Sequence, residues 1–164
     1  MFAAACDEIE SIRLEFPHLS RLEQSRLESY YVFCNIRMGS PTMDALVIEL
    51  EDKFGPVPEL AKAKLMQARY YFDQQHYSVV AEILGGVNQK FLSKEDKKDY
   101  LFQLSFSQLR TGQIKEAQKG FEELLKIKEN KYILPATYYS GYIAYLNGDF
   151  NKALSFFEKN VSDD

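Results

Sequence analysis

Tryptophan is absent from this 164-residue chain, and only two cysteines, two histidines and five prolines occur. No run of about 18 apolar residues exists, so no segment is predicted to span a membrane. The start, Met1-Phe2-Ala3-Ala4-Ala5, leads directly into acidic Cys6-Asp7-Glu8, which is not the pattern of a secretory leader. No sustained apolar–polar alternation is present, so no β-strand is expected. Basic residues do not cluster either. The net charge is −4, and without a lysine- and arginine-rich stripe a nucleic-acid partner is not expected. The longest charged run, Lys94-Glu95-Asp96-Lys97-Lys98, mixes both signs and is predicted to be a solvated helix start.

Candidate chemistry is equally sparse. His18 and His76 are remote from each other in sequence and neither forms an H-x3-H pair, so no zinc site is expected. Gly85-Gly86-Val87-Asn88-Gln89-Lys90 lacks the spacing of a phosphate loop and is predicted to be a turn. The acid pairs Glu49/Glu51 and Glu122/Glu123 carry no sign of tuned acid–base work. The chain is therefore expected to be non-enzymatic and to need no cofactor and no metal. Cys6 and Cys34 are predicted to be small buried thiols. A disulfide between them stays open, because spacing alone does not give their separation.

What the sequence does contain is aromatic residues, 11 tyrosines and 12 phenylalanines, and a recurring pattern. In Gly141-Tyr-Ile-Ala144-Tyr-Leu-Asn-Gly148-Asp-Phe150-Asn-Lys-Ala153-Leu-Ser-Phe-Phe157, small residues sit one turn apart on a first helix. A glycine ends that helix. A second helix then carries Phe150, Ala153 and Phe157 on one face. Stepping back from Gly148, the equivalent positions are Gly112, Gln75 and Gly39, at spacings of 36, 37 and 36 residues. Seven residues before each stand Gly141, Ser105, Ala68 and Val32. Second-helix copies are Ile114-x2-Ala117-x3-Phe121, Tyr77-x2-Val80-x3-Leu84, Phe2-x2-Ala5-x3-Ile9 and a degenerate Thr42-x2-Ala45 followed by Ile48 and Leu50.

Local signals divide the chain the same way. Ser40-Pro41 has the form of an N-cap and a first helical proline, Gly55-Pro56-Val57-Pro58 and Gly85-Gly86 are breaks, and Ser93 with Asp96 is a cap. Asn130–Pro135 is predicted to be the last turn between units. Helices are expected at about 1–16, 21–38, 42–54, 58–74, 77–86, 94–110, 114–128, 134–147 and 150–161. They group into one solenoid domain: a half repeat 1–16, then repeats at about 21–54, 58–87, 94–128 and 134–161. A unit of this size cannot bury its apolar face alone, so the copies must stack. The missing first half of the opening unit, and the stop at Val161-Ser162-Asp163-Asp164, raise the expectation that the chain is a piece of a longer array.

The small residue, the turn Gly-x-Phe/Tyr and the Ala-x3-Phe spacing resemble the tetratricopeptide repeat. The resemblance is clearest over 94–160 and weakest before 55. It implies an all-α fold, an α-α superhelix: a right-handed solenoid of antiparallel helix pairs, about nine helices in all. Lys131-Tyr132-Ile133-Leu134-Pro135-Ala136-Thr137-Tyr138-Tyr139 with Tyr142-Ile143-Ala144-Tyr145 is similar to the large tetratricopeptide-repeat proteins of Gram-negative cell envelopes. That likeness implies a periplasmic or membrane-associated parent, with the cytoplasm as the alternative.

In such solenoids the first helices line the concave surface. Here they supply columns Phe33–Arg69–Phe106–Tyr142, Ile36–Phe72–Leu109–Tyr145 and Ser29–Leu65–Phe102–Tyr138, with Arg37, Asp73 and Arg110 at the helix ends. The resemblance thus implies a scaffold for a protein or peptide partner, with Phe33, Arg37, Arg69, Phe106, Arg110, Tyr138, Tyr142 and Tyr145 as the candidate contacts. Any of these rings could equally pack between repeats. Where relatives that bind chaperone tails place lysine and asparagine, this chain has Ser29, Phe33, Leu65, Met66 and Arg69, so that clamp is absent. The second expectation is a structural spacer or oligomerisation segment of a larger envelope protein, self-associating through exposed array ends.

Overall fold

The computed structural model describes residues 1–162. They form nine α-helices and one short 3₁₀ turn, and no strand occurs among them. The helices are α1 (Phe2–Glu15), α2 (Arg21–Met38), α3 (Met43–Phe54), α4 (Pro58–Asp73), α5 (Tyr77–Gly85), α6 (Lys94–Arg110), α7 (Ile114–Leu125), α8 (Ile133–Leu146) and α9 (Phe150–Ser162). The 3₁₀ turn, Gln89–Phe91, lies between α5 and α6. Asp163 and Asp164 lie outside the described residues.

Helix ends follow local chemistry. Four first helices (α2, α4, α6, α8) run into residues with left-handed backbone: Gly39 (φ 63°), Gln75 (63°), Gly112 (82°) and Gly148 (78°). After Gln75, Gly112 and Gly148 the next helix starts two residues on, and after Gly39 four residues on, so each second helix folds back on its first. Gln75 adopts the same φ with a side chain, at a cost of about 1 kcal/mol. At the starts, Ser20 and Glu23 form a reciprocal capping box on α2, Pro58 opens α4, and the Ser93 hydroxyl accepts the Asp96 N–H at 3.1 Å.

Consecutive helices pack as α2·α3, α4·α5, α6·α7 and α8·α9, and the second helix of each pair also packs on the first helix of the next (α3·α4, α5·α6, α7·α8); α1 packs on α2. Two apolar clusters result. One joins Val32, Ile36, Met43, Val47, Leu50, Phe54, Leu60 and Ala63 across α2, α3 and α4. The other runs from Ala61 and Leu65 through Val80, Leu84, Ala117, Phe121 and Leu124 to Ala136 and Ile143. Tyr71 packs against both and makes the core continuous.

Several expectations need correcting. Ser40 does not cap α3: the helix starts at Met43, and the Ser40 hydroxyl instead receives the Thr42 N–H in a preceding turn. That turn changes the register of α3. The buried residues are Met43, Val47, Leu50 and Phe54, while Ala45 and Ile48 face solvent. In α1 the buried residues are Cys6 and Ile9, with Phe2 exposed. Pro135 belongs to the first turn of α8, not to the connection before it. Lys98, in the charged run, is buried, and its ammonium donates to Glu95 Oε1 at 2.7 Å and to the Glu129 carbonyl at 2.8 Å.

Candidate functional site

The first helices α2, α4 and α6 lie side by side, with the second helices behind them. Side chains one repeat apart therefore form rows across α2, α4 and α6. Two clefts open on this face. One, of about 330 Å³, is lined by Ile36 and Arg37 of α2, Lys62, Leu65, Met66, Arg69, Tyr70 and Asp73 of α4, and Asp96, Asp99 and Gln103 of α6. The other, of about 280 Å³, includes Arg26, Tyr30 and Phe33 of α2, with Phe91 at the end of the 3₁₀ turn and Leu92 after it. Lys62 and Asp96 belong to both, so the two read as one groove crossing three helices.

Charge in the groove is divided. Asp99 accepts from the Tyr132 hydroxyl at 2.8 Å and pairs with Lys131 at 2.7 Å. That pairing raises the Lys131 pKa, while burial and then the Asp99 bond raise that of the Tyr132 phenol. Asp96 is held by the Ser93 hydroxyl at the start of α6. Arg37 and Arg69, both exposed, have no ion-pair or hydrogen-bond partner among the described residues. The same cleft is lined by Gln103, only 5% exposed, whose Oε1 has no hydrogen-bond partner. A buried carboxamide oxygen left unpaired costs about 1–3 kcal/mol, so its place in the groove wall is informative.

The candidate residues fall into three groups. Phe33, Arg37 and Arg69 line the groove. Phe33 meets Tyr30 edge-on at 6.0 Å, and the Lys62 ammonium lies 5.9 Å from its ring. Phe106 is half-buried among Phe72 (5.4 Å), Tyr77 (5.3 Å), Phe102 (6.1 Å) and Tyr139 (5.1 Å), where it fills the space between repeats. Arg110 lies 5.3 Å from the Tyr77 ring.

Tyr138, Tyr142 and Tyr145 are exposed on α8. Tyr142 shares its row with Phe33 and Arg69. The other two belong to packing rows, because Ser29, Leu65, Ile36 and Leu109 at the matching positions are buried. Among the described residues α8 packs on α7 and α9.

Gln103, Met66, Tyr30 and the Phe91–Leu92 turn were not singled out by sequence reasoning. The signal for the first three was present: Tyr30, Met66 and Gln103 recur at the same 36- and 37-residue spacings, one turn before Phe33, Arg69 and Phe106. Phe91 and Leu92 could not be found that way, since the 3₁₀ turn has no repeated counterpart.

A larger cleft of about 420 Å³ lies between α1, α2 and α3, but three of its four charged residues, Arg13, Glu28 and Lys53, are paired with one another. Glu28 pairs with Arg13 and with Lys53, and the Arg13 guanidinium lies over the Tyr31 ring. No group of three or more His, Cys, Asp or Glu side chains among the described residues is arranged to hold a metal ion. No described helix is long and apolar enough to cross a membrane.

No family model matches this chain, and no curated protein matches it in sequence. Among solved structures, the crystal structure of MamA matches with a TM-score of 0.65 over 98% of this chain and 87% of that chain, at 16% identity. At that identity the likeness establishes the fold, an all-helical tetratricopeptide-like repeat architecture.

Proposed function

We propose that this protein is a non-catalytic scaffold that binds an extended peptide segment in the groove across α2, α4 and α6. The observation that carries this is the lining of one cleft, where the unpartnered Arg37 and Arg69 share the wall with the buried Gln103 carboxamide, whose oxygen is unpaired, and which adjoins the cleft holding the Phe33–Tyr30 ring pair. A carboxamide offers one acceptor and two donors, which complement the N–H and C=O of an extended backbone. The free guanidinium groups favour an acidic side chain on that segment, and the rings favour an apolar one. A tetratricopeptide-like fold is in keeping with a protein partner.

The test is selection of binders from a random peptide display library, followed by mapping of the bound peptide on backbone amide shifts. Shifts are expected on α2, α4 and α6. Arg69→Glu and Gln103→Leu should each weaken the selected peptide about tenfold or more, with helix content unchanged. No enrichment over a scrambled pool, or shifts confined to α3, α5 and α7, would refute the groove.

A second role, association through the open face of α8 and α9, is favoured by a different observation. Tyr145, Phe150 and Leu154 are all more than half exposed on that face.

A further inference from the structure

The chain has two cysteines, and the fold places both at the α1–α2 contact. Cys6 is buried on α1 and Cys34 is half-buried on α2; both are free thiols. Of the side chains that act on the Cys6 thiol, Cys34 has the largest effect. The Asn35 carboxamide, on the residue next to Cys34, donates to Cys6 Sγ at 3.6 Å, which fixes the Cys6 side chain at this seam. Residues 28 positions apart in a chain with no other cysteine have thus been brought together by one helix–helix contact.

We propose that Cys6 and Cys34 form a reversible dithiol–disulfide site whose co-substrates are low-molecular-weight thiols and disulfides of the glutathione class. The exchange proceeds in two displacements. Cys34, the more accessible sulfur, attacks as thiolate on one sulfur of the small disulfide; a Cys34–S–S–R bond forms and RS⁻ leaves. Cys6 then gives up its proton, and its sulfur displaces the second RS⁻ from Cys34. Two protein thiols and RSSR become one protein disulfide and two RSH, with two electrons passing from the protein to the small disulfide. The order follows from the environment. Burial, and then the neighbouring Cys34, raise the pKa of the Cys6 thiol, which suits it to the second step, where its target is already in contact.

The consequence is local. Among its helical neighbours α1 packs substantially on α2 alone, so it is the element least held by the core. A covalent tie from Cys6 to Cys34 anchors its N-terminal half. Reduction leaves it held by Ile9, the Arg13–Glu28 pair and the Tyr31–Glu10 hydrogen bond of 3.1 Å.

The experiment equilibrates the full chain in a series of reduced-to-oxidised glutathione ratios, quenches in acid and measures intact mass with peptide mapping. The expected product is the chain less two hydrogens, with the Cys6 and Cys34 peptides linked. Cys6→Ser should stop at one glutathione adduct on Cys34, and Cys34→Ser should react more slowly. The oxidised chain should also resist tryptic cleavage after Arg13 several-fold better than the reduced one. A wild type that stops at glutathione adducts, forms intermolecular dimers, or remains reduced at every ratio would overturn the proposal. Equal helix content in the two serine variants would establish that neither result comes from misfolding.

Discussion

At the scale of single residues, close approach within the helix pairs is managed by an exchange of bulk. In α6 and α7 the meeting residues are Ser105 and Gly120, and one repeat later the corresponding positions hold Gly141 and Phe156. A Cβ added at Gly120 would collide with the Ser105 hydroxyl and stand 3.2 Å from Ser105 Cβ. A Cβ at Gly141 would stand 3.0 Å from Phe156 Cβ and 2.7 Å from Phe157 Cε1. The obstacles differ in what they can do. A serine hydroxyl rotates to another staggered position, whereas Phe156 Cβ is fixed to its backbone and the Phe157 ring is wedged between helices. Replacing a helical glycine by alanine gains up to about 1 kcal/mol in backbone propensity. Overpacking costs about 1–3 kcal/mol. Gly141→Ala should therefore destabilise the protein, while Gly120→Ala should stay within about 1 kcal/mol of wild type. Denaturant titration of both variants checks this, and equal losses would show that Ser105 is as immovable as the phenylalanines.

At the scale of elements, α3 is the most instructive, because its sequence pattern is eroded and polar contacts join its apolar face in fixing its position. Asp44 accepts from Gln67 Nε2 at 2.7 Å and from the Tyr71 hydroxyl at 2.6 Å, fastening α3 to α4. The hydrogen bond to the Asp44 carboxylate, and then burial, push the Tyr71 phenol up to about 12. A pKa raised on folding means that the stabilisation is complete below the unfolded value of about 10 and is lost as pH rises from there toward 12. Phenolate absorbance should show Tyr71 ionising after the exposed tyrosines. Asp44→Asn should bring that late ionisation down and flatten the fall in stability over the same interval. A wild type whose tyrosines all ionise together while it stays folded would contradict the link. The same helix shows what the sequence could convey. The reversal at Gly39, the helix count and most helix limits were legible, because glycine in left-handed backbone and 3.6-residue periodicity leave local marks. The register of α3 was not, because the turn Ser40-Pro41-Thr42 shifts the buried face onto Met43 and Val47, away from Ala45 and Ile48. Within the candidate site, the rows holding Arg37 and Arg69 were readable from spacing. The separation of Phe106 into the core, and the importance of Gln103, depended on which neighbours fold against them.

At the scale of the whole molecule, a stack of helix pairs leaves two end faces whose residues are of core type. The row that carries Ser29 (1% exposed) and Leu65 (6%) reaches Tyr138 at 48%. The row of Ile36 and Leu109 ends in Tyr145 at 54%. With Phe150 and Leu154 beside them, these rings form an apolar surface on α8 and α9 where earlier repeats receive the next first helix. The groove and this face make different demands. Groove residues such as Arg69 can change without altering the stack, whereas covering the end face amounts to continuing it. Burying such a surface is favourable at about 25 cal/mol per Å² of apolar area, but association must first overcome several kcal/mol of lost translational and rotational freedom. A few half-exposed rings therefore support weak contact, on the order of micromolar or weaker. The 164-residue chain should accordingly show concentration-dependent mass in sedimentation equilibrium. Tyr145→Glu combined with Leu154→Glu should return it to monomer with helix content intact, because both side chains already face solvent. Arg69→Glu should leave that association unchanged while weakening peptide binding in the groove. A wild type that sediments as a monomer at all concentrations, or an association indifferent to the double substitution, would leave the end face without a role in self-contact.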